Sequence, residues 1–251
     1  MKRVELDLVR PACTIRLTVV VDDLLSEEGV EKGLLPSHGL GLVIDAQFED
    51  GSVFHALIDG GPSIDVLTHN MNAVGAPQLT SLDLLVVSLW NYHHLGAVLS
   101  SWKLCRRLRR ITRLPPLPRN RARGLEAIPG SPILLASLYS PVYNERIVLL
   151  RGIGGWVGVV GCSVYGVEGV LRVLEDSSRK LGMKLDLLIG GFNLSTLDMY
   201  GTRRLVKFVE KHSASLVPLH STSIRAREYL ARRLELEEGL PGAGLEVEVA
   251  W

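Results

Sequence analysis

The amino-acid sequence predicts an α/β protein, an αββα sandwich of two mixed sheets flanked by helices. Short β-branched and apolar runs crowd the first part of the chain and include a hairpin signal at Glu49-Asp50-Gly51-Ser52. From Gly166 onward, helical and strand periodicities alternate to the end. These patterns leave two β-rich halves, each edged by helices, and sheets of that kind bury their apolar faces by packing on one another. With 251 residues, 47% of them hydrophobic, the chain can bury one large core. The expected organisation is a single domain over 1–251.

In order, Thr14 to Val21 alternates and is rich in β-branched residues, so it predicts a strand that Asp22-Asp23 ends. The polar segment up to Pro36 predicts a loop with a helical turn. Leu42 to Ala46 and Val53 to Ile58 form the hairpin, which runs into Asp59-Gly60-Gly61-Pro62. Ile64, Leu67, Met71 and Val74 repeat at helical spacing before Ala76-Pro77. Leu82 to Val87 reads as a buried strand, followed by a loop holding Trp90, Asn91, Tyr92, His93 and His94, and a helix is expected over Val98 to Leu108. Strands follow at Ile133–Ser137, Ile147–Leu150 and Trp156–Gly161. Then come a helix at Gly166–Leu181, a strand at Leu185–Ile189, a helix at Thr202–His212, a strand at Ser215–Leu219, a helix at Ile224–Leu234 and a strand at Leu245–Val249.

Composition narrows the class. The net charge of +1 gives no overall field toward nucleic acid or membrane. Three scattered cysteines, Cys13, Cys105 and Cys162, argue against a disulfide framework. No apolar run approaches a membrane span, and the start lacks a signal-peptide pattern, so a cytoplasmic protein is expected. Only Gln47 and Gln78 represent glutamine, beside abundant Arg, Glu and Leu, a balance of the thermophilic kind.

The chemistry concentrates after the strand Leu82–Val87, in Ser88-Leu89-Trp90-Asn91-Tyr92-His93-His94-Leu95-Gly96-Ala97. This stretch resembles the metallo-β-lactamase superfamily signature Ser-His-x-His-x-Asp-His-x-Gly-Gly. Ser88, His94 and Gly96 match. Leu89 and Asn91 stand at the first two histidines, His93 at the aspartate, and Ala97 at the last glycine. Further landmarks occur in order: Val21-Asp22-Asp23, His38-Gly39-Leu40-Gly41, Ile58-Asp59-Gly60-Gly61-Pro62, Gly161-Cys162-Ser163-Val164, Ile189-Gly190-Gly191-Phe192-Asn193-Leu194 and Pro218-Leu219-His220-Ser221-Thr222. Together they resemble the dihydropterin ribofuranosyl-aminobenzene phosphate synthase branch, best known from archaeal pterin cofactor synthesis.

The resemblance implies a degenerate metal motif. Its first metal would take the positions of Leu89, Asn91 and Val164; Leu and Val offer no lone pair, and one amide cannot replace three imidazoles. Its second metal would take those of His93, His94 and His220, all still able to coordinate. The expectation is therefore one zinc or iron ion on His93, His94 and His220, nickel being a further metal that imidazoles suit. Asp59 and His94 are the catalytic candidates, Asp59 as a carboxylate orienting an imidazole. His38, Asn91, Tyr92 and Asn193 are substrate or outer-sphere candidates, while Cys162 reads as a core residue rather than a nucleophile. The implied activity is hydrolysis of a phosphorylated or ester small molecule. The alternative is a catalytically lapsed homologue, binding no cofactor and serving as a binding or scaffold protein. Its possible surface is the acid-free segment from Lys103 to Arg123, inside an Arg/Pro-rich insertion at about 103–130, which could meet nucleic acid or an acidic partner. The even charge and the lack of aromatics within that segment argue against nucleic acid.

Overall fold

The structure is a computed structural model that describes residues 6–117, 124–139, 142–196, 198–234 and 240–251. In chain order its elements are β1 (Thr14–Val21), α1 (Glu27–Glu31), β2 (Gly41–Gln47), β3 (Val53–Ile58), α2 (Ile64–Ala73), β4 (Leu84–Val86), α3 (Tyr92–Leu104), α4 (Arg106–Ile111) and β5 (Thr112–Arg113). The second half holds β6 (Leu125–Ala127), β7 (Ile133–Tyr139), β8 (Asn144–Arg151), β9 (Trp156–Val160), α5 (Val167–Leu181), β10 (Leu185–Gly190), α6 (Met199–His212), β11 (Ser215–Pro218), α7 (Ile224–Arg233) and β12 (Glu246–Ala250).

Two six-stranded mixed sheets result, ordered β12-β1-β2-β3-β4-β5 and β11-β10-β9-β8-β7-β6. Strands β1, β2, β3 and β12 pair antiparallel, whereas β3-β4-β5 and β9-β10-β11 run parallel. Alternation along each strand sorts side chains into layers. Leu42, Ile44 and Ala46 of β2 join Val148 and Leu150 of β8 in the core between the sheets. Val43 faces the other way, toward Leu67 and Met71 of α2 and Leu95 and Val98 of α3. Ile147 and Leu149 of β8 likewise meet Val170 and Leu174 of α5 and Leu205 of α6. The αββα expectation therefore holds, and no helix among the described residues is long and apolar enough to cross a membrane.

One local expectation needs correction. His93 and His94 lie in the first turn of α3 rather than in a loop, because Asn91 acts as the N-cap, its side chain accepting the His93 N–H at 3.2 Å. The helix then runs to Leu104, and α4 follows as a separate short helix. Gly96 lets α3 lie against the Asp59–Pro62 turn, since a Cβ there would stand 2.5 Å from the Pro62 carbonyl oxygen. The stretch expected as an Arg/Pro insertion at about 103–130 supplies the end of α3, then α4, β5 and β6; Pro118 to Arg123 lie outside the described residues.

Candidate metal centre

The site forms where β1, β3, β4, β9 and β11 end along one edge of the two sheets. At the end of β3 the backbone turns through a left-handed Asp59 (φ 57°), which places its carboxylate fully buried beneath the start of α3. One carboxylate oxygen accepts the Ser88 N–H at 2.7 Å; the other accepts the Ser88 hydroxyl at 2.6 Å and His94 Nδ1–H at 2.7 Å. Gly161 is required opposite, because a Cβ there would lie 2.0 Å from Ser88 Oγ.

This pairing fixes the His94 ring. Burial works against a charged imidazole, but the adjacent Asp59 outweighs it and lifts the His94 pKa to about 10. The other ring nitrogen, Nε2, is buried with no hydrogen-bond partner. A buried polar atom normally finds a partner, so this nitrogen needs explaining. Near it stand the Cys162 thiol, just past β9, and His220, just past β11: one ligand atom each from His94, Cys162 and His220 lie within 4.8 Å of one another. Burial opposes ionisation of Cys162, yet the two imidazoles bring its thiol down to about 7.

His220 is held by two consecutive acids at the end of β1. Asp22 accepts its backbone N–H at 2.6 Å, and Asp23 meets its Nδ1 at 3.1 Å. Burial raises the Asp22 pKa against the pull of Arg227, whose guanidinium bonds it at 2.7 and 3.3 Å, also fully buried. Asp23 also meets His38 Nδ1 at 2.8 Å; burial opposes its charge, but His220 and His38 outweigh that and hold it near about 2. The Cys162 loop hangs on Glu145, completely buried at the start of β8, whose carboxylate accepts the N–H groups of Cys162, Ser163 and Val164 at 2.9, 2.7 and 2.9 Å.

No protein-family model matches the sequence, and no curated protein matches it. Solved structures do. The crystal structure of Tm1679, a metal-dependent hydrolase of the beta-lactamase superfamily, is similar at TM-score 0.70 with 19% identity, over 94% of this chain and 99% of that one. The chain has the metallo-β-lactamase fold. The metallo-beta-lactamase fold protein YhfI from Bacillus subtilis follows at TM-score 0.59 and 15% identity, covering 93% and 99%. Igni18, a metallo hydrolase from the hyperthermophilic archaeon Ignicoccus hospitalis, follows at 0.56 and 11%, covering 95% and 99%.

Within this metallo-β-lactamase fold, two of the three expected imidazoles, His94 and His220, come together with ring centres 5.3 Å apart, and Cys162 completes the group. His93 lies outside it: its ring centre is 6.3 Å from that of His220 and 4.3 Å from that of His38, edge-on. Burial and the neighbouring His38, His220 and His94 lower its pKa. Asn91 is occupied as the cap of α3. Tyr92 stands exposed beside His93. Asn193 is exposed on a left-handed turn, its N–H bonded to Ser221 Oγ at 3.0 Å. A second group, Asp23, His38 and His220, also lies within 4.8 Å, but its members already hydrogen-bond one another. Sequence reasoning missed Cys162 as a ligand candidate and Asp22, Asp23, Glu145 and Arg227 as its supports; the acids that end β1 and the cysteine of Gly161-Cys162-Ser163 were the signals available.

Proposed function

We propose that this chain is a metal-dependent hydrolase of the metallo-β-lactamase superfamily, working with one divalent ion held by His94, Cys162 and His220. The observation that carries the reading is the buried, partnerless His94 Nε2. Its ring is oriented through Nδ1 by a carboxylate, the usual support of a metal-ligating histidine. The donor chemistry fits: two imidazoles and a thiol tuned to about 7 suit zinc before iron or nickel. Such an ion would supply an activated water and a polarised phosphoryl or acyl oxygen at its open position.

The chain's own residues divide the remaining work. Asp59 holds His94 through Nδ1 so that Nε2 faces the group, where a bound ion would take the place of its proton; Asp23 meets His220 through Nδ1, and Glu145 sets the Cys162 loop. His93 and exposed His38 and Tyr92 line the approach, where a phosphorylated or ester small molecule would be oriented. The positions of Leu89, Asn91 and Val164 offer no second set of ligands, which supports a single-ion centre.

Elemental analysis of tag-free protein, followed by zinc and cobalt titration, tests the reading. About one ion per chain is expected, lost in His94→Ala, His220→Ala and Cys162→Ser. Protein that takes up no metal and is equally stable with a chelator would refute it and support the lapsed, scaffold role instead.

A further inference from the structure

We propose that the face built by α4 and β5 binds the phosphate backbone of a single-stranded nucleic acid. This surface includes none of the three candidate ligands of the histidine–cysteine group, though it shares Tyr92 with the approach to them, and the inference stands whether or not that group holds a metal.

Helix α4 reads Arg-Arg-Leu-Arg-Arg-Ile, and only Leu108 is buried; Arg106, Arg107, Arg109 and Arg110 are all exposed. Several other surface arginines find acids, Arg16 meeting Glu248, Arg204 meeting Glu168 and Arg233 meeting Glu210, while Arg203, Arg225 and Arg232 are exposed without an ion pair among the described residues but do not cluster on one short helix. Among the described residues the four on α4 and Arg113 on β5 make no ion pair. Their side-chain bonds go to carbonyls, Arg107 to that of Thr80 and Arg113 to that of Arg110. An unneutralised row of guanidinium groups on the outermost strand of a sheet and the helix before it is the electrostatic footprint of a phosphate backbone.

Arg146 supplies an independent observation. It is 6% exposed and its Nη2 meets Glu126 at 2.8 Å, but Nε and Nη1 have no partner. Burial and the nearby Arg113 both weaken its hold on its proton. With Nε and Nη1 buried and Glu126 as its one acid among the described residues, Arg146 adds unmet positive charge beneath this face rather than a contact that a phosphate could reach.

The fold also provides the aromatic that the basic segment itself lacks. The Arg146 N–H bonds the Ser88 carbonyl at 2.8 Å, and Trp90 Nε1 bonds the Pro115 carbonyl at 2.7 Å. The chain leaving β5 is thereby tied to the loop that ends at Tyr92, which is 66% exposed. Tyr92 thus offers an exposed ring at the end of a loop tied to the basic segment, on which an unpaired base can stack, which a duplex does not offer.

Fluorescence anisotropy of the full chain with labelled oligouridine, oligothymidine and a duplex tests this. Micromolar binding of the single strands is expected at about 50 mM salt, with a log–log salt slope near −3 if about four phosphates are neutralised. Arg109→Glu with Arg110→Glu should weaken binding at least about tenfold and flatten the slope; Tyr92→Ala should cost about fivefold or more and leave the slope unchanged. Arg109→Gln with Arg110→Gln repeats the first test with a milder change, and melting curves confirm that each variant is folded. No anisotropy change up to about 100 μM, a duplex bound more tightly than either strand, wild-type binding by the arginine variants, or equally tight binding of polyglutamate would each overturn the proposal.

Discussion

Replacing Asp59 by Asn isolates the carboxylate on which the centre is built. Oδ1 accepts one N–H from Ser88, while Oδ2 accepts both the Ser88 hydroxyl and His94 Nδ1–H. An amide has only one acceptor oxygen, so its NH2 must face either the Ser88 N–H or the His94 N–H, donor against donor. In metal-free protein, His94 has a pKa of about 10 against 6.5 for the free group. Because the folded value is raised, the stabilisation is complete below pH 6.5 and lost as pH climbs toward 10. Its ceiling is on the order of 5 kcal/mol. With a chelator present, the denaturation midpoint of the wild type should therefore fall between about pH 6.5 and 10. Asp59→Asn should start lower and show a flatter profile over that window. With metal present the variant should bind zinc about 10- to 100-fold more weakly, read by competition with a chromophoric chelator. Unchanged zinc affinity together with a wild-type pH profile would refute the argument that Asp59 presents His94.

Other perturbations reach the centre from its remaining supports. Cys162→Ser should abolish the near-ultraviolet thiolate-to-cobalt charge-transfer band and weaken zinc binding, with little change of stability in chelator; a retained band would remove Cys162 from the ligand set. Glu145→Gln can keep its oxygen on the Cys162 and Ser163 N–H groups but then sets its NH2 against the Val164 N–H, and a loss of about 1–3 kcal/mol in urea denaturation is expected, with a weakened cobalt band in the folded fraction. Arg227→Met strands the buried Asp22 carboxylate, for an expected loss of about 3–5 kcal/mol, part of which Asp22→Asn in the same chain should restore.

Most strands were legible because each is a β-branched or apolar run long enough to show its period, as in Thr14–Val21 and Leu185–Gly190. β5 and β6, two and three residues long, carry no period at all and exist through pairing with β4 and β7. The start of α3 was hidden for another reason. Tyr92-His93-His94 has weak helical preference, and only the capping side chain of Asn91 marks the boundary. His94 and His220 could be singled out through the resemblance, which brings distant motifs into one list. Cys162 could not, since its ligand character comes from two imidazoles supplied by other strand ends. Asp22 and Arg227 lie far apart in sequence, so no local pattern announces their pairing.

The positions where the resemblance expects the first metal's ligands each have a structural task here. Leu89 is buried, and its backbone bridges to Glu145, joining the end of β4 to β8. Asn91 spends its side-chain oxygen on the cap of α3. Val164 gives its N–H to the same Glu145 carboxylate that orders Cys162. Restoring histidine costs something different at each: at 89 it must fit a buried apolar slot, at 91 it gives up the cap, and at 164 the backbone N–H to Glu145 is kept. This packing agrees with the proposed single-ion centre, since positions 89 and 91 are committed to other tasks.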